Sequence, residues 1–83
     1  MEKVVRVLAN TNFTLDATFD NGLVKRFDFK PYLKFPVFER LRDFEYFKSV
    51  DVSFGAVHWQ GGEDISPETM FIEGVEIGEE VIL

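Results

Sequence analysis

The sequence contains no cysteine and only one histidine, His58. The absence of cysteine excludes disulfide bonds, thiolate metal ligands and cysteine nucleophiles, and a single histidine excludes a metal site built on several histidines. No apolar run approaches the roughly 20 residues of a membrane-spanning helix, and the first residues lack the apolar region of a signal peptide. We therefore expect a cytoplasmic protein without a membrane segment, and we expect no cofactor.

Basic residues are missing from the second half of the chain. All nine lysines and arginines lie between Lys3 and Lys48, where seven acidic residues leave a net charge of +2. Residues 49–83 carry eight acidic residues and neither Lys nor Arg, so their net charge is −8. The isoelectric point is about 4.6, whereas a nucleic-acid-binding domain usually has one above about 9. Direct nucleic-acid binding is therefore not expected, and the acidic half either keeps the domain soluble or faces a basic partner.

The residues that are abundant are apolar and aromatic. The chain has 83 residues, 46% of them hydrophobic, and ten of them are phenylalanines. Burying one phenylalanine side chain contributes roughly 1.5–3 kcal/mol, so we assign these rings first to the core of one small folded domain.

The first 30 residues predict a three-stranded antiparallel meander. Residues 4–8 are rich in β-branched side chains, and residues 13–19 alternate between apolar and polar side chains as a half-buried strand does. The alternation predicts two faces, an inner one of Phe13, Leu15, Ala17 and Phe19, and an outer one of Thr14, Asp16 and Thr18. Asn21-Gly22 is a strong hairpin signal because both residues accept a positive φ. Residues 23–29 then form the return strand, in which Lys25 breaks the apolar face and its ammonium reaches water.

Short helices are predicted after the meander. Pro36 suits the first position of a helix, because that position needs no amide donor. Apolar residues follow at helical spacing, and the predicted inner face consists of Val37, Phe38 and Leu41. Asp43 can cap a second short helical turn.

A second hairpin and a last helix complete the pattern. Residues 50–54 and 56–59 read as strands joined around Gly55. Ser66 is placed to cap a helix that starts at Pro67 and stops at Gly74. The predicted class is α+β, with a three-stranded antiparallel meander, one or two short helices, a second β-hairpin and a final short helix.

The C-terminal residues form a separate unit in this prediction. We expect residues 1–74 to be a single α+β domain and residues 75–83 to be an acidic and apolar tail. The tail either adds an edge strand, docks on its own domain or pairs with another chain.

One segment resembles a known family. Residues 59–70 read Trp-Gln-Gly-Gly-Glu-Asp-Ile-Ser-Pro-Glu-Thr-Met and are similar to the closing segment of a family of short bacterial proteins, domain-of-unknown-function family 2442 (DUF2442). The rest of the pattern appears in order, and the resemblance covers residues 3 to about 72. Its other matching segments are 4–8, 19–22, 27–29, 35–41 and 47–50.

The resemblance implies the same α+β order of three strands, helices, a hairpin and a last helix. It implies no activity and no catalytic residues, because none is established for the family. It further implies a small partner-like protein with an antitoxin-like or regulatory role beside another small protein. Some members carry an added helix-turn-helix, but nothing after Phe71 is long or basic enough to form one.

Candidate catalytic groups have structural interpretations that we prefer. His58, Asp64 and Ser66 contain the residue types of a hydrolytic triad, but Ser66 is better explained as a helix cap. Gly61-Gly62 lies before a capped helix and resembles an anion cradle, yet Glu63 and Asp64 would repel phosphate there. The carboxylate pairs in the acidic half lack the partly buried setting of acid–base catalysis. We therefore predict neither an enzyme nor a metal site.

The sequence favours a non-enzymatic protein-interaction module whose partner is a small basic protein or a second copy. The candidate surface consists of Trp59, Asp64, Glu76, Glu79, Glu80, Val81 and Ile82. Trp59 also has a second interpretation, in which it closes one end of the core. Deleting residues 75–83 is expected to weaken association without unfolding the domain.

Two alternatives belong to other classes. One is a regulator at nucleic acid, acting through a partner or through four basic residues, Lys25, Arg26, Arg40 and Arg42. The other is a small-molecule site or an enzyme near Trp59 and the Gly61-Gly62 loop.

Overall fold

The computed structural model describes residues 2–80 of the chain. Within these residues, the strands are β1 (Val4–Ala9), β2 (Thr14–Phe19), β3 (Leu23–Asp28), β4 (Asp51–Ser53), β5 (Ala56–His58), β6 (Asp64–Ile65) and β7 (Val75–Glu79). The helical segments are two 3₁₀ segments, Lys30–Tyr32 and Pro36–Arg42, and two α-helices, α1 (Phe44–Phe47) and α2 (Pro67–Glu73). This content confirms the predicted α+β class. No helix in residues 2–80 has the length and apolarity to cross a membrane.

The strands form two antiparallel sheets. The larger sheet has the order β1-β2-β3-β7, and the smaller one has the order β4-β5-β6. The amide of Val4 donates a hydrogen bond to the Gly55 carbonyl at 2.9 Å, which joins the start of the large sheet to the β4–β5 turn. Both predicted hairpins are therefore present, and the sequence pattern missed β6, which has only two residues.

The alternation along β2 is confirmed for its inner face and wrong for part of its outer face. Leu15, Ala17 and Phe19 are buried, but Thr14 and Thr18, which were expected to face water, are buried as well. β2 is a central strand, with β1 along one edge and β3 along the other. Each threonine hydroxyl has a partner: Thr14 donates to the nearby Asn12 at 2.7 Å, and Thr18 donates to Glu80, which is distant in the sequence, at 3.2 Å.

Two apolar-face predictions also need correction. Phe13 precedes β2 and has a φ of 63°, so it ends the turn rather than beginning the strand, although its ring packs 5.0 Å from that of Phe47. Lys25 is half-buried, and its ammonium, which was expected to reach water, has internal partners. It donates to the Phe71 carbonyl at 2.6 Å and lies 3.9 Å from the centre of the Phe71 ring.

The helix boundaries follow the predicted capping residues. Pro36 begins the second 3₁₀ segment, and the Asp43 side chain accepts from the Glu45 amide at the start of α1. The Ser66 hydroxyl accepts from the Thr69 amide at 3.1 Å and so caps α2, which begins at Pro67. Local side-chain chemistry therefore sets where these short helices start.

The inner face of the second 3₁₀ segment differs from the prediction. Leu41 is fully buried, but Val37 is 68% exposed. The segment is kinked at Phe38, where φ is −107° and ψ is 17°, and a 3₁₀ turn has three residues rather than 3.6, so the side chains do not fall on the face that α-helical spacing predicted.

Trp59 lies in the middle of the core. It is only 1% exposed, its indole N–H donates to the Phe47 carbonyl at 2.8 Å, and its ring lies 5.5 Å from that of Phe29. The assignment of Trp59 to an interaction surface is therefore wrong, and the core interpretation is correct. The buried apolar residues are Val4, Leu15, Ala17, Phe19, Phe27, Phe29, Leu41, Phe47, Val57, Trp59, Ile65 and Met70.

The contrast within the second 3₁₀ segment gives a stability prediction. Leu41→Ala should lower the free energy of unfolding by about 2–5 kcal/mol, because it removes a fully buried side chain and leaves a cavity. Val37→Ala removes a largely exposed side chain from the same segment and should change it by less than about 0.5 kcal/mol. Urea unfolding followed by Trp59 fluorescence measures both, and equal losses would contradict the observed orientation.

Candidate interaction surface

Strand β7 is an edge strand of the large sheet. It pairs with β3 on one side, and no strand among residues 2–80 pairs with its other side. Two of its apolar side chains are exposed, Val75 by 68% and Ile77 by 45%. An edge strand presents unpaired backbone N–H and C=O groups, so it can pair with a strand of another chain. We call the exposed side chains Val75, Glu76, Ile77 and Glu79 the β7 edge.

Two carboxylates lie among the apolar residues of the β7 edge, Glu76 between Val75 and Ile77 and Glu79 after them. Glu76 and Glu79 are both exposed, and neither forms an ion pair within residues 2–80. Glu76 lies opposite Lys25 in the β3–β7 register, but the Lys25 ammonium donates to the Phe71 carbonyl instead. The β7 edge therefore combines exposed apolar area with negative charge that the described part of the chain does not neutralise.

Glu80 has an internal role. Its amide donates to the Gly22 carbonyl at 2.8 Å, and its carboxylate accepts from Arg6 at 2.5 Å and from Thr18 at 3.2 Å. The hydrogen bond from Arg6 holds the pKa of the Glu80 carboxyl below its usual range. Glu80 thus ties the end of β7 to the β2–β3 turn and to β1.

The other predicted surface residues do not join this surface. Asp64 is exposed, but it lies on β6 in the smaller sheet, opposite His58. Val81 and Ile82 lie outside the described residues. Glu76 and Glu79 therefore lie on the same strand, apart from Asp64 on β6 and the buried Trp59.

The triad-like residues are not joined by hydrogen bonds in the described part of the chain. The Ser66 hydroxyl accepts from the Thr69 amide and donates to the Thr69 hydroxyl. His58 and Asp64 face each other only as paired residues of β5 and β6. Among residues 2–80, no three His, Asp or Glu side chains are grouped so as to hold a metal ion.

Glu63 forms a buried network that the sequence did not reveal. Its side chain is 3% exposed, and its carboxylate accepts from the Tyr46 hydroxyl at 2.7 Å and from the Arg40 guanidinium at 3.0 Å. The Tyr46 oxygen also accepts from the Gly61 amide at 2.7 Å. A Cβ at Gly61 would lie 2.2 Å from an Arg40 nitrogen, so a side chain there would displace the ends of Arg40 and Tyr46 from this network. Because the Gly61 amide already donates within the domain, the Gly61-Gly62 pair is part of a structural loop and not an anion cradle.

The charge of Glu63 stabilises the fold. Burial alone raises the pKa of the Glu63 carboxyl, but the hydrogen bond from Tyr46 and the charge of Arg40 outweigh it and hold the pKa below its usual range. Burial and the same carboxylate raise the pKa of the Tyr46 hydroxyl. The network connects the second 3₁₀ segment and α1 to the loop before β6, a structural role.

Phe54, which the sequence pattern placed at the end of a strand, is an exposed aromatic residue just after β4. It lies in the β4–β5 turn, its side chain is fully exposed, and its φ is +50°. Gly55 follows with a φ of +78°. Two consecutive positive φ values are typical of hairpin turns that favour Asn-Gly, and a bulky residue at such a φ is strained. Phe54 is thus a second exposed apolar feature, on the β1 side of the large sheet, opposite the β7 side.

The fold and surface define a small α+β domain with an open sheet edge and a tightly packed aromatic core. A family model described as "Protein of unknown function (DUF2442)" matches residues 4–76. The chain belongs to this family, as the resemblance of the sequence predicted, and the match ends just inside β7. Comparison with curated proteins and with solved structures gives no match.

The Glu63 network predicts a specific pH dependence. Because the pKa of Glu63 is lower in the folded than in the unfolded state, its stabilisation is present above the ordinary glutamate pKa and is lost as the pH falls through the folded-state pKa. Between about pH 5 and about pH 3, Glu63→Gln should therefore lose less unfolding free energy than the unmodified chain. The control is Glu39→Gln, an exposed residue of the same region, and urea titrations at each pH give the slopes. A Glu63→Gln slope equal to that of the unmodified chain would contradict the role of the network.

The strained turn at Phe54 predicts a substitution that stabilises the domain. Phe54→Asn should raise the free energy of unfolding by about 0.5–1 kcal/mol, since asparagine tolerates a positive φ better than phenylalanine and no buried contact is lost. The measurement is the shift of the urea midpoint, with Ser53→Asn as the control inside the neighbouring strand. A destabilised Phe54→Asn variant would show that the ring makes contacts needed by the fold.

Proposed function

We propose that this domain is a non-enzymatic protein-interaction module and that its partner binds along the β7 edge. The supporting observation is the edge position of β7, where Val75 and Ile77 are exposed beside the carboxylates of Glu76 and Glu79. Addition of a strand to a sheet edge is a common mode of peptide recognition, in which the backbone supplies affinity and alternate side chains supply specificity. The proposal includes the antitoxin-like or regulatory role that the family resemblance implies, and a cytoplasmic location.

The charge of the β7 edge favours a basic partner. Glu76 and Glu79 have no ion pair within residues 2–80, and complementary charge accelerates association and orients the partner. In a second copy, the same strand would bring like charges together, and charged side chains on an edge strand oppose such pairing. A small basic protein is therefore a better partner for this edge than a second copy.

The basic side chains of the chain support the same choice over nucleic acid. Arg26 donates two hydrogen bonds to Asp16, at 2.7 and 2.9 Å, and Arg40 donates to Glu63. Lys25 and Arg42 donate to the carbonyls of Phe71 and Leu33. Binding to phosphates would require these side chains to exchange internal acceptors for the nucleic-acid backbone.

Deletion of the C-terminal segment is a poor test of this proposal. Strand β7 covers β3 from Leu23 to Arg26, and Glu80 is hydrogen-bonded to Gly22. Removing residues 75–83 would expose β3, so a loss of association could arise from unfolding. Substitutions of exposed side chains replace the deletion.

The proposal predicts that a double variant, Val75→Ser with Ile77→Ser, loses its partner while it stays folded. Val75 is 68% exposed and Ile77 is 45% exposed, so the two substitutions together should change the free energy of unfolding by less than about 2 kcal/mol. The tagged chain is used as bait in a lysate of the source cells, and captured proteins are identified by mass spectrometry and then purified for titration. We expect a stoichiometric small basic protein whose affinity falls at least about tenfold in the double variant.

The matched control is Ile72→Ser, which removes an exposed apolar side chain from α2. It should keep the full affinity. Equal affinities of all three baits would contradict binding at the β7 edge. Recovery of the bait alone, together with concentration-dependent self-association in sedimentation, would replace the basic partner with a second copy.

A further inference from the structure

An open groove lies next to the start of β7. It has a volume of about 430 Å³ and is bounded by the end of β3, the first 3₁₀ segment and the end of α2. Glu73, on its rim, precedes Val75 by two residues, so the groove adjoins the β7 edge. Its volume is within the range of small ligand sites.

Aromatic rings line the groove. Tyr32 stacks on the buried Phe27 with ring centres 5.5 Å apart and an angle of 29°, and Phe35 meets Tyr32 edge-on at 6.1 Å. Phe35 is 42% exposed. The Lys34 ammonium lies 5.6 Å from the centre of the Phe35 ring. This face of the groove therefore already attracts a cation of the chain itself.

Carboxylates lie on the rim beside the rings. Glu73 accepts a hydrogen bond from the Tyr32 hydroxyl, and it has no ion pair within residues 2–80. The hydrogen bond to Glu73 raises the pKa of Tyr32, as expected beside a negative charge. Asp28 is less available, because its carboxylate lies 2.9 Å from the Lys30 ammonium. The negative charge of Glu73 therefore faces the groove with only a neutral phenol as its partner.

From this arrangement we infer that the groove binds the guanidinium group of an arginine side chain on the protein partner. A guanidinium is planar, so it can stack on the exposed Phe35 ring while it donates hydrogen bonds to the Glu73 carboxylate beside Tyr32. A lysine ammonium has no flat face to stack and is more strongly hydrated. The assignment of this arginine to a partner rests on the proposed function. A partner chain lying along β7 would reach the groove where it extends past Val75 towards Glu73.

Binding of a single residue tests the groove without the partner. N-acetyl-arginine amide is titrated into ¹⁵N-labelled protein, and N-acetyl-citrulline amide, its neutral isostere, is the ligand control. Arginine should shift the amide signals of Tyr32, Phe35 and Glu73 saturably, with a dissociation constant on the order of 1–10 mM for such a small and exposed contact. Citrulline should leave these signals in place.

Two substitutions should change this affinity in opposite directions. Glu73→Gln should weaken arginine binding by about threefold to tenfold, because it removes the charged acceptor. Lys34→Met should strengthen it by about twofold to threefold, because it removes the cation that competes for the Phe35 ring and keeps the apolar stem. Glu68→Gln, an exposed glutamate of the same helix that is not in the groove, should leave the affinity unchanged.

The outcomes separate this inference from the proposed function. Equal binding of citrulline, shifts outside the groove or an unchanged affinity in both Glu73→Gln and Lys34→Met would overturn the arginine site. If the arginine site is overturned but partner capture still depends on Val75 and Ile77, the proposed function stays intact. In the complex, Glu73→Gln should lower the partner's affinity and the Val75→Ser, Ile77→Ser variant should still bind the arginine amide. An arginine site that the partner does not use would overturn its assignment to the partner.

Discussion

The packing of the buried Trp59 side chain is the interaction on which the rest of the domain depends. Its indole N–H donates to the Phe47 carbonyl in α1, and its ring packs against Phe29 at the end of the large sheet. Trp59 itself follows β5 of the smaller sheet. One side chain therefore joins both sheets and the helical layer, and its buried polar atom has the partner that burial requires. In a domain of 83 residues, where little surface is buried in total, such a junction carries a large share of the packing.

A second junction has the opposite chemistry. Glu63 is a buried carboxylate, and it is tolerated because Tyr46 and Arg40 donate to it and leave no unpaired charge. The second 3₁₀ segment and α1 are therefore attached to the rest of the domain by one mainly apolar contact, at Trp59, and one polar contact, at Glu63. At the opposite edge of the large sheet from β1, β7 has only β3 as a neighbouring strand among the described residues. The edge on which we base the function is thus carried by a stable scaffold, which limits the ordering that binding requires.

The acidic half of the chain does not act as one surface. Glu63 accepts hydrogen bonds within its buried network. Glu80 accepts from Arg6 and Thr18, and Glu73 accepts from Tyr32. Only part of the net charge of residues 49–83 is therefore directed outward along β7. This division explains how a segment without any lysine or arginine packs onto a domain whose basic residues all lie earlier in the chain.

Local patterns in the sequence determined the elements that depend on neighbouring residues. The Asn21-Gly22 hairpin, the Asp43 and Ser66 caps and the inner face of β2 follow from backbone preference and from the two-residue period of a strand. Tertiary structure alone decided the burial of Thr18, the exposure of Val37 and the use of Glu63, because each depends on residues distant in the sequence or on 3₁₀ geometry. It also decided the position of β7, since residues 75–79 carry no clear period and pair with β3 only where the fold leaves that strand's edge open.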